Sequence, residues 1–281
     1  MNRSPNFTNK LCLKTTMYPE AQRPAFYVPQ EDVNAILAHG ELPEIRLAQA
    51  QKKHPLKIAM LLTQDKSPER ALPDYSMPLA TVEAFEDVGA ELFFVIYDKV
   101  EEQLERIKPE GIYLPGGCFD VPLEIEENEP PHKTDLKRYK AYISMIDYAR
   151  KNKLPLLGVC GGMQVLAGYF GAKIKRVDNH RTNLEAFAHE VIVKSGSLLQ
   201  RVIGAEAFKV NSWHRWAVSE TSFGHNVIHT APDGVVEAIE PKGAWNPFVL
   251  GIQSHPEYFV SKGDKASTAI FKAFVKACEH E

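Results

Sequence analysis

Short apolar runs alternate with segments of helical spacing along the chain from residue 56 to residue 171. The runs predict buried strands at residues 57–62, 91–96, 111–114 and 155–159. Apolar residues three or four positions apart share one helix face, which predicts helices at residues 78–88, 100–108, 135–151 and 163–170. Strands that alternate with helices predict a mostly parallel sheet that is covered by helices on both faces.

The pattern changes after Gly171. Short strand-like pieces at residues 187–193, 208–210, 227–230 and 235–240 are joined by polar turns. They predict a small antiparallel addition to the parallel core, with Asp233-Gly234 as a hairpin turn. A further buried strand is predicted at 248–252 and an amphipathic helix at 266–278.

Two segments do not fit this alternation. Residues 1–55 contain no obvious strand, so we expect an N-terminal extension packed on the surface of a domain that spans 56–281. Residues 120–133 are acidic and contain prolines, which predicts a loop at the rim of a pocket.

Composition is that of a soluble globular protein, with 44% hydrophobic and 25% charged residues in a chain of 281. A formal charge of -3 predicts no nucleic-acid partner. The sequence has neither an apolar run of about 18 residues, which a membrane helix needs, nor the apolar core of a signal peptide. Its four cysteines are scattered without metal-type spacing, which predicts reduced thiols, a cytoplasmic location and no metal or other cofactor.

Cys160 lies between an apolar strand and a helix-compatible segment, and is bracketed by Gly158, Gly161 and Gly162. This arrangement predicts a sharp strand–nucleophile–helix turn, since residues without Cβ allow the close approach that such a turn needs. A cysteine at a helix N-terminus is favoured as the thiolate. A buried cysteine in an ordinary turn between strand and helix is an equally good interpretation of this motif alone.

Two further motifs favour the catalytic interpretation. One is the sequence Tyr-Leu-Pro-Gly-Gly at residues 113–117, and the other is the apolar strand that leads into His255-Pro256-Glu257. Together with the segment around Cys160, they resemble the class I glutamine amidotransferase superfamily from about residue 56 onward. Residues 210–214 and 231–239 are similar to signatures of its γ-glutamyl-γ-aminobutyrate hydrolase family, also called peptidase C26.

The residue types suit amide hydrolysis through a thioester. Cys160 would be the nucleophile, His255 the proton shuttle and Glu257 the group that orients the imidazole, because side chains two apart in an extended segment point the same way. The resemblance implies the same roles. It also implies a flavodoxin-like fold and an oxyanion hole that is built from the backbone N–H groups of Gly117 and Gly161.

Substrate contacts are predicted for Gln164, one helical turn beyond Cys160, and for His214, although a purely structural role fits either side chain equally well. Trp213 and Trp216 are candidates for the lining of the same pocket or for core positions. His180 and His189 carry no recognisable signal.

Three positions depart from the γ-glutamyl-γ-aminobutyrate hydrolase pattern. That family usually has Arg directly after the nucleophile, Gln two residues after the matching His, and an Arg-Asp pair before the elbow. This chain has Gly161, Trp216 and the pair Arg138-Tyr139 instead. The departures concern substrate recognition rather than the three proposed catalytic side chains.

Three functions therefore follow as hypotheses. The first is a stand-alone hydrolase of a small-molecule γ-glutamyl amide, with no nucleic-acid or membrane partner and with a homodimer as a candidate assembly. The second is a glutaminase subunit that supplies ammonia to a separate synthase. The third is a non-catalytic binding protein on the same fold.

Overall fold

A computed structural model describes residues 56–65, 74–117, 135–219 and 227–279. These residues fall within one unit that spans His54–Glu281. The predicted N-terminal extension, the predicted loop at 120–133, and both Cys12 and Cys118 lie outside the described residues. The boundary between extension and domain therefore stays a prediction.

Nine strands form the central sheet. In spatial order they are β10 (Ala207–Val210), β9 (His189–Ile192), β13 (Val227–Thr230), β14 (Val236–Glu240), β15 (Val249–Ile252), β6 (Leu156–Val159), β5 (Gly111–Leu114), β1 (Leu56–Leu61) and β4 (Ala90–Val95). The five strands from β15 to β4 pair in parallel. The other four pair antiparallel, so the predicted antiparallel addition is a continuation of the same sheet.

Three two-stranded sheets lie outside the central sheet in the described part of the chain. They pair β2 (Thr63–Asp65) with β3 (Asp74–Ser76), β7 (Ile174–Arg176) with β12 (Trp216–Val218), and β8 (Arg181–Asn183) with β11 (Ser212–Trp213). The sequence pattern did not predict them, because strands of two or three residues are too short to show an alternation.

Helices follow the strands as predicted. Those in the described residues are α1 (Leu79–Asp87), α2 (Val100–Ile107), α3 (Leu136–Asn152), α4 (Gly161–Tyr169), α5 (Leu198–Ile203), α6 (Glu257–Val260) and α7 (Lys265–Cys278). The two shortest, α5 and α6, were not predicted, since one or two turns leave no readable periodicity. None of these helices is long and apolar enough to cross a membrane.

Alternate side chains of β1 pack into opposite cores. Ala59 and Leu61 pack in one cluster with residues of α2, α3 and α4, whereas Ile58 and Met60 pack in a second cluster with residues of α1 and α7. A strand has a side-chain period of two, so an apolar run without polar alternation needs cover on both sides. The prediction of a mostly parallel sheet with helices on both faces is confirmed, and the fold is the flavodoxin-like one of class I glutamine amidotransferases.

Candidate active site

The backbone turns sharply at Cys160, between β6 and α4. Cys160 has φ 50° and ψ -110°, a conformation that is rare for a residue with a side chain and that clusters at functional sites. Its N–H donates a 2.7 Å hydrogen bond to the Ile252 carbonyl at the end of β15. A Cβ on Gly162 would collide with the backbone of Leu114, so glycine is required where α4 passes over β5. The predicted strand–turn–helix geometry is present.

His255 and Glu257 meet directly. His255 Nδ1 lies 2.8 Å from Glu257 Oε1, and both side chains are buried. The expected geometry is wrong in one respect, because the segment between them is not extended. Pro256 has φ -63° and ψ -24°, which is helical, and Glu257 is the first residue of α6. The two side chains therefore meet across the start of a helix rather than on one side of a strand.

The imidazole of His255 also lies beside Cys160, since both side chains pack against Gly116 and line the same cavity. Burial lowers the pKa of His255, but the negative charges of Glu257 and Cys160 outweigh it and raise that pKa well above its usual value. This environment favours the protonated form of the His255 imidazole.

Asn211 holds the backbone of His255 from a distant part of the chain. Its Oδ1 accepts a 2.7 Å hydrogen bond from the His255 N–H, and its Nδ2 donates a 3.1 Å bond to the His255 carbonyl. Sequence reasoning gave Asn211 no role of its own. Its place directly before Ser-Trp-His in a recognised signature was the available signal.

The glycine pair after β5 packs against the candidate catalytic groups. A Cβ on Gly116 would lie 2.6 Å from His255 Cε1 and 2.9 Å from Cys160 Cβ. A Cβ on Gly117 would lie 2.6 Å from Nη1 of Arg138. A side chain at Gly116 would therefore displace His255 or Cys160, and one at Gly117 would displace the Arg138 guanidinium.

Arg138 is 2% exposed and belongs to this site, although the sequence singled it out only as part of a departure from a family pattern. Its Nη2 donates to the Gly116 carbonyl at 2.7 Å and to Tyr142 Oη at 2.8 Å. Tyr142 in turn donates to the Pro115 carbonyl at 2.5 Å. Burial raises the pKa of Tyr142 to about 12 against the lowering effect of Arg138, so this phenol stays a neutral donor.

A cavity of about 1290 Å³ opens over Cys160. Every residue that the sequence proposed for the site lines it, namely Gly117, Cys160, Gly161, Gln164, His214, His255 and Glu257. Trp213 and Trp216 line it as well, together with the cationic side chains of Lys137, Arg181 and Arg215.

Gln164 and His214 both contact the carbonyl of Trp216. Gln164 Nε2 donates to that oxygen at 2.8 Å and to Gln253 Oε1 at 3.2 Å. His214 Nδ1 lies 3.1 Å from the same carbonyl oxygen. The two side chains therefore combine a place on the cavity wall with a structural contact to β12.

Comparison with known proteins identifies the family of this chain. A family model described as Peptidase C26 matches residues 59–257. The chain is 32% identical over 195 residues to the gamma-glutamyl-gamma-aminobutyrate hydrolase of Escherichia coli K12, with 63% of this chain and 76% of that protein covered. A putative glutamine amidotransferase of Schizosaccharomyces pombe is 31% identical over 193 residues, with 64% of this chain and 74% of that protein covered.

Two solved structures share the fold. The glutaminase domain of a Trypanosoma brucei CTP synthase with bound acivicin superposes with a TM-score of 0.56 at 20% identity, with 79% of this chain and 93% of that chain covered. A putative GMP synthase subunit from Thermoplasma acidophilum superposes with a TM-score of 0.55 at 18% identity, with 80% and 94% covered.

Proposed function

Because this chain belongs to the peptidase C26 family, we propose that it hydrolyses a γ-glutamyl amide through a thioester on Cys160. The observation that carries the proposal is that Glu257 hydrogen-bonds His255, that His255 lies beside Cys160, and that all three residues line one cavity. A carboxylate, an imidazole and a thiol in that order are the groups that nucleophilic amide cleavage requires.

The proposed reaction has two halves. The Cys160 thiolate attacks the γ-carbonyl carbon, and the imidazolium of His255 gives its proton to the departing amine as the C–N bond breaks. His255 then takes a proton from water, whose oxygen attacks the thioester and displaces the thiolate as glutamate forms. The backbone N–H groups of Gly117 and Gly161, which line the cavity beside Cys160, would stabilise the oxyanion in both halves.

Charge on the cavity wall supports a substrate with a carboxylate on the released amine. A γ-glutamyl amide already has an α-carboxylate, and four cationic side chains of the described residues line the cavity, those of Lys137, Arg138, Arg181 and Arg215. Arg181 lies over the Trp213 ring at 4.6 Å, which holds its guanidinium in place while its edge stays able to bind a carboxylate. An amine such as γ-aminobutyrate would supply that second carboxylate, as the name of the Escherichia coli relative also suggests.

A panel of substrates tests the proposal with the purified full chain. We expect kcat/KM to be highest for γ-glutamyl amides of short amino acids, lower for γ-glutamyl alkylamines and lowest for glutamine. The reason is that binding energy from the amine side can be used to orient the reacting carbonyl. Cys160→Ser should remove turnover of every member of the panel, and acid quenching of the wild type during turnover should recover a covalent γ-glutamyl adduct on Cys160.

Two other results would replace this proposal. Glutamine as the best substrate, or turnover that requires an added synthase, would favour an ammonia-supplying glutaminase subunit. Binding of γ-glutamyl amides without turnover or adduct would favour a non-catalytic binding protein.

A further inference from the structure

A second cluster of titratable side chains lies behind the cavity wall, away from Cys160. Its centre is Glu237 on β14, whose side chain has no exposed surface. Three imidazoles surround this carboxylate, those of His180, His189 and His214. Only His214 among them lines the cavity, so the reaction proposed above leaves the rest of the cluster without a role.

Distances within the cluster match the spacing of ligands around a metal ion. Oε1 of Glu237 lies 3.0 Å from His180 Nδ1, 3.1 Å from His189 Nε2 and 3.4 Å from His214 Nε2. The candidate ligand atoms of His180, His189 and Glu237 all lie within 4.8 Å of one another. Donors that bind zinc tetrahedrally at about 2.0–2.1 Å are themselves about 3.3 Å apart.

The three N···O contacts to Glu237 are close but poorly directed, so well-formed hydrogen bonds do not account for this convergence. Among the described residues, neither carboxylate oxygen of Glu237 has a hydrogen bond of acceptable geometry, and neither does Nε2 of His189 or of His214. Buried polar atoms without such a bond are costly and therefore uncommon. Four of them in one cluster indicate that a further group belongs between them.

The outward-facing ring nitrogens are held in the manner of metal-binding histidines. Nε2 of His180 lies 3.0 Å from Asp233 Oδ2, and Nδ1 of His214 lies 3.1 Å from the Trp216 carbonyl oxygen. Both outer contacts suit the tautomer that donates its proton outward. The nitrogen that faces Glu237 then presents a lone pair, as it must in order to bind a cation.

We propose that His180, His189 and Glu237, with His214 as the fourth donor, bind a divalent transition-metal ion of the zinc class. Imidazole nitrogen and carboxylate oxygen are ligands that suit such an ion. His180 and His214 also have an acceptor beside their outer ring nitrogen, as metal-binding histidines usually do. The ion is separate from the chemistry at Cys160.

The position of the cluster gives this ion a structural role. Glu237 and His189 belong to the central sheet, whereas His180 directly precedes β8 and His214 directly follows β11. The ion would therefore fasten the small β8–β11 sheet, which carries Arg181 and Trp213 to the cavity, onto the central sheet. It would hold the wall that faces the amine side of the substrate.

Metal content of the untagged full chain tests the proposal. Cys160→Ser is the background, so that the reactive thiol cannot bind the metal instead. After treatment with a chelator, titration with Zn²⁺ against a chromophoric indicator should give one equivalent bound, and binding should raise the Tm. Titration with Co²⁺ should give visible bands typical of tetrahedral nitrogen and oxygen ligands, without a sulfur-to-metal transition.

Variants distinguish this site from adventitious binding. His189→Gln and Glu237→Gln should each lower Zn²⁺ affinity by at least about 100-fold. Asp233→Asn, a substitution at an exposed position that keeps the turn, should lower Zn²⁺ affinity about 10–100-fold, because His180 would lose the carboxylate beside its outer nitrogen. His229→Gln is the matched control, because His229 is also buried against a carboxylate, at 3.1 Å from Glu240 Oε1, but no second histidine of the described residues contacts that carboxylate. Its Zn²⁺ affinity should equal that of the background.

The competing arrangement is a cluster of protonated histidines around Glu237 without any metal. Failure of the folded background protein to bind Zn²⁺ or Co²⁺ stoichiometrically would support that arrangement and overturn the proposal. Equal affinity in the background protein, His189→Gln and Glu237→Gln would overturn it as well. Neither result bears on hydrolysis at Cys160, which the substrate panel tests in the wild type.

Discussion

The guanidinium of Arg138 donates a 2.7 Å hydrogen bond to the carbonyl oxygen of Gly116. That carbonyl and the N–H of Gly117 belong to one planar peptide unit, and they point in opposite directions. By holding the Gly116 oxygen, Arg138 fixes the orientation of the peptide unit that contains the Gly117 N–H. Arg138, a buried residue of α3, thereby orients a candidate oxyanion donor without being an oxyanion donor itself.

Arg138→Met is expected to lower kcat by more than it raises KM. Removal of a whole oxyanion donor costs about 10²–10³-fold in kcat, and a donor that is only less well held should cost a part of this. The measurement is steady-state kinetics on the best γ-glutamyl amide. Lys140→Met, an exposed change on the same helix, is the control. An unchanged kcat for a folded Arg138→Met would show that Arg138 does not position the Gly117 peptide.

Cys160 is expected to be the most reactive of the four cysteines. It lines the cavity beside His255, whereas burial raises the pKa of the Cys278 thiol and makes it inert. Brief alkylation with iodoacetamide followed by peptide mapping should find Cys160 labelled first, in step with the loss of activity. Loss of activity that follows the labelling of Cys12, Cys118 or Cys278 instead would contradict the assignment.

His255→Ala is expected to lower kcat by about 10²–10⁴-fold, the usual contribution of general acid–base catalysis. Glu257→Gln should cost less, because the base remains but loses the carboxylate that orients it. Saturating-substrate kinetics compares the two variants. A Glu257→Gln variant slower than His255→Ala would reverse the proposed order of importance.

The pH profile provides a separate readout of Glu257. The carboxylate of Glu257 raises the pKa of His255, so the imidazolium persists at pH values above the usual pKa of histidine. The basic limb of the kcat/KM profile should therefore lie above that pKa as well. Glu257→Gln removes that charge, lowers the pKa of His255 and should move the basic limb to lower pH. A basic limb that does not move would show that this limb reports another group.

Arg181→Gln is expected to raise KM for γ-glutamyl-γ-aminobutyrate about 10-fold, the loss of one charge-assisted hydrogen bond at a partly exposed site. KM for a γ-glutamyl alkylamine should stay constant, because that amine has no carboxylate to bind. Arg176→Gln, an exposed arginine that does not line the cavity, is the matched control. Equal effects on both substrates would assign Arg181 to the glutamyl α-carboxylate.

Glu240→Gln is expected to lower the free energy of unfolding by about 1–3 kcal/mol near pH 6. Glu240 accepts from the N–H groups of Leu198 and Leu199 at 2.9 and 2.8 Å and contacts His229. Burial raises the pKa of this carboxyl, but these partners outweigh it and lower the pKa in the folded state.

The sign of the pH dependence follows from that lowered pKa. The stabilisation is present above the unfolded value of about 4.3 and is lost as pH falls through the folded value. The difference in Tm between wild type and Glu240→Gln should therefore shrink in acid. Glu190→Gln, a substitution at an exposed position of the same sheet, should leave Tm unchanged at every pH. A Tm difference between wild type and Glu240→Gln that stays constant down to strongly acidic pH would show that the stabilisation does not depend on ionised Glu240.

Local patterns in the sequence were enough to predict the parallel core and the turn at Cys160. An apolar run needs cover on both faces, and glycine beside Cys160 is required by close approach, so both features follow from neighbouring residues. The contact between His255 and Glu257 was also predicted from their spacing, but through an extended segment. The helical conformation of Pro256 depends on how the chain packs after β15, which the spacing does not reveal.

Contacts between distant segments were decided only by the tertiary structure. Asn211 reaches His255 and Arg138 on α3 reaches Gly116 because distant segments of the chain meet where the parallel strands β15 and β5 end. His180, His189 and Glu237 carry no metal-type spacing, and they meet through the order of strands β9, β13 and β14 and the position of β8. Strand order is set by burial over the whole sheet, so no short stretch of sequence contains it.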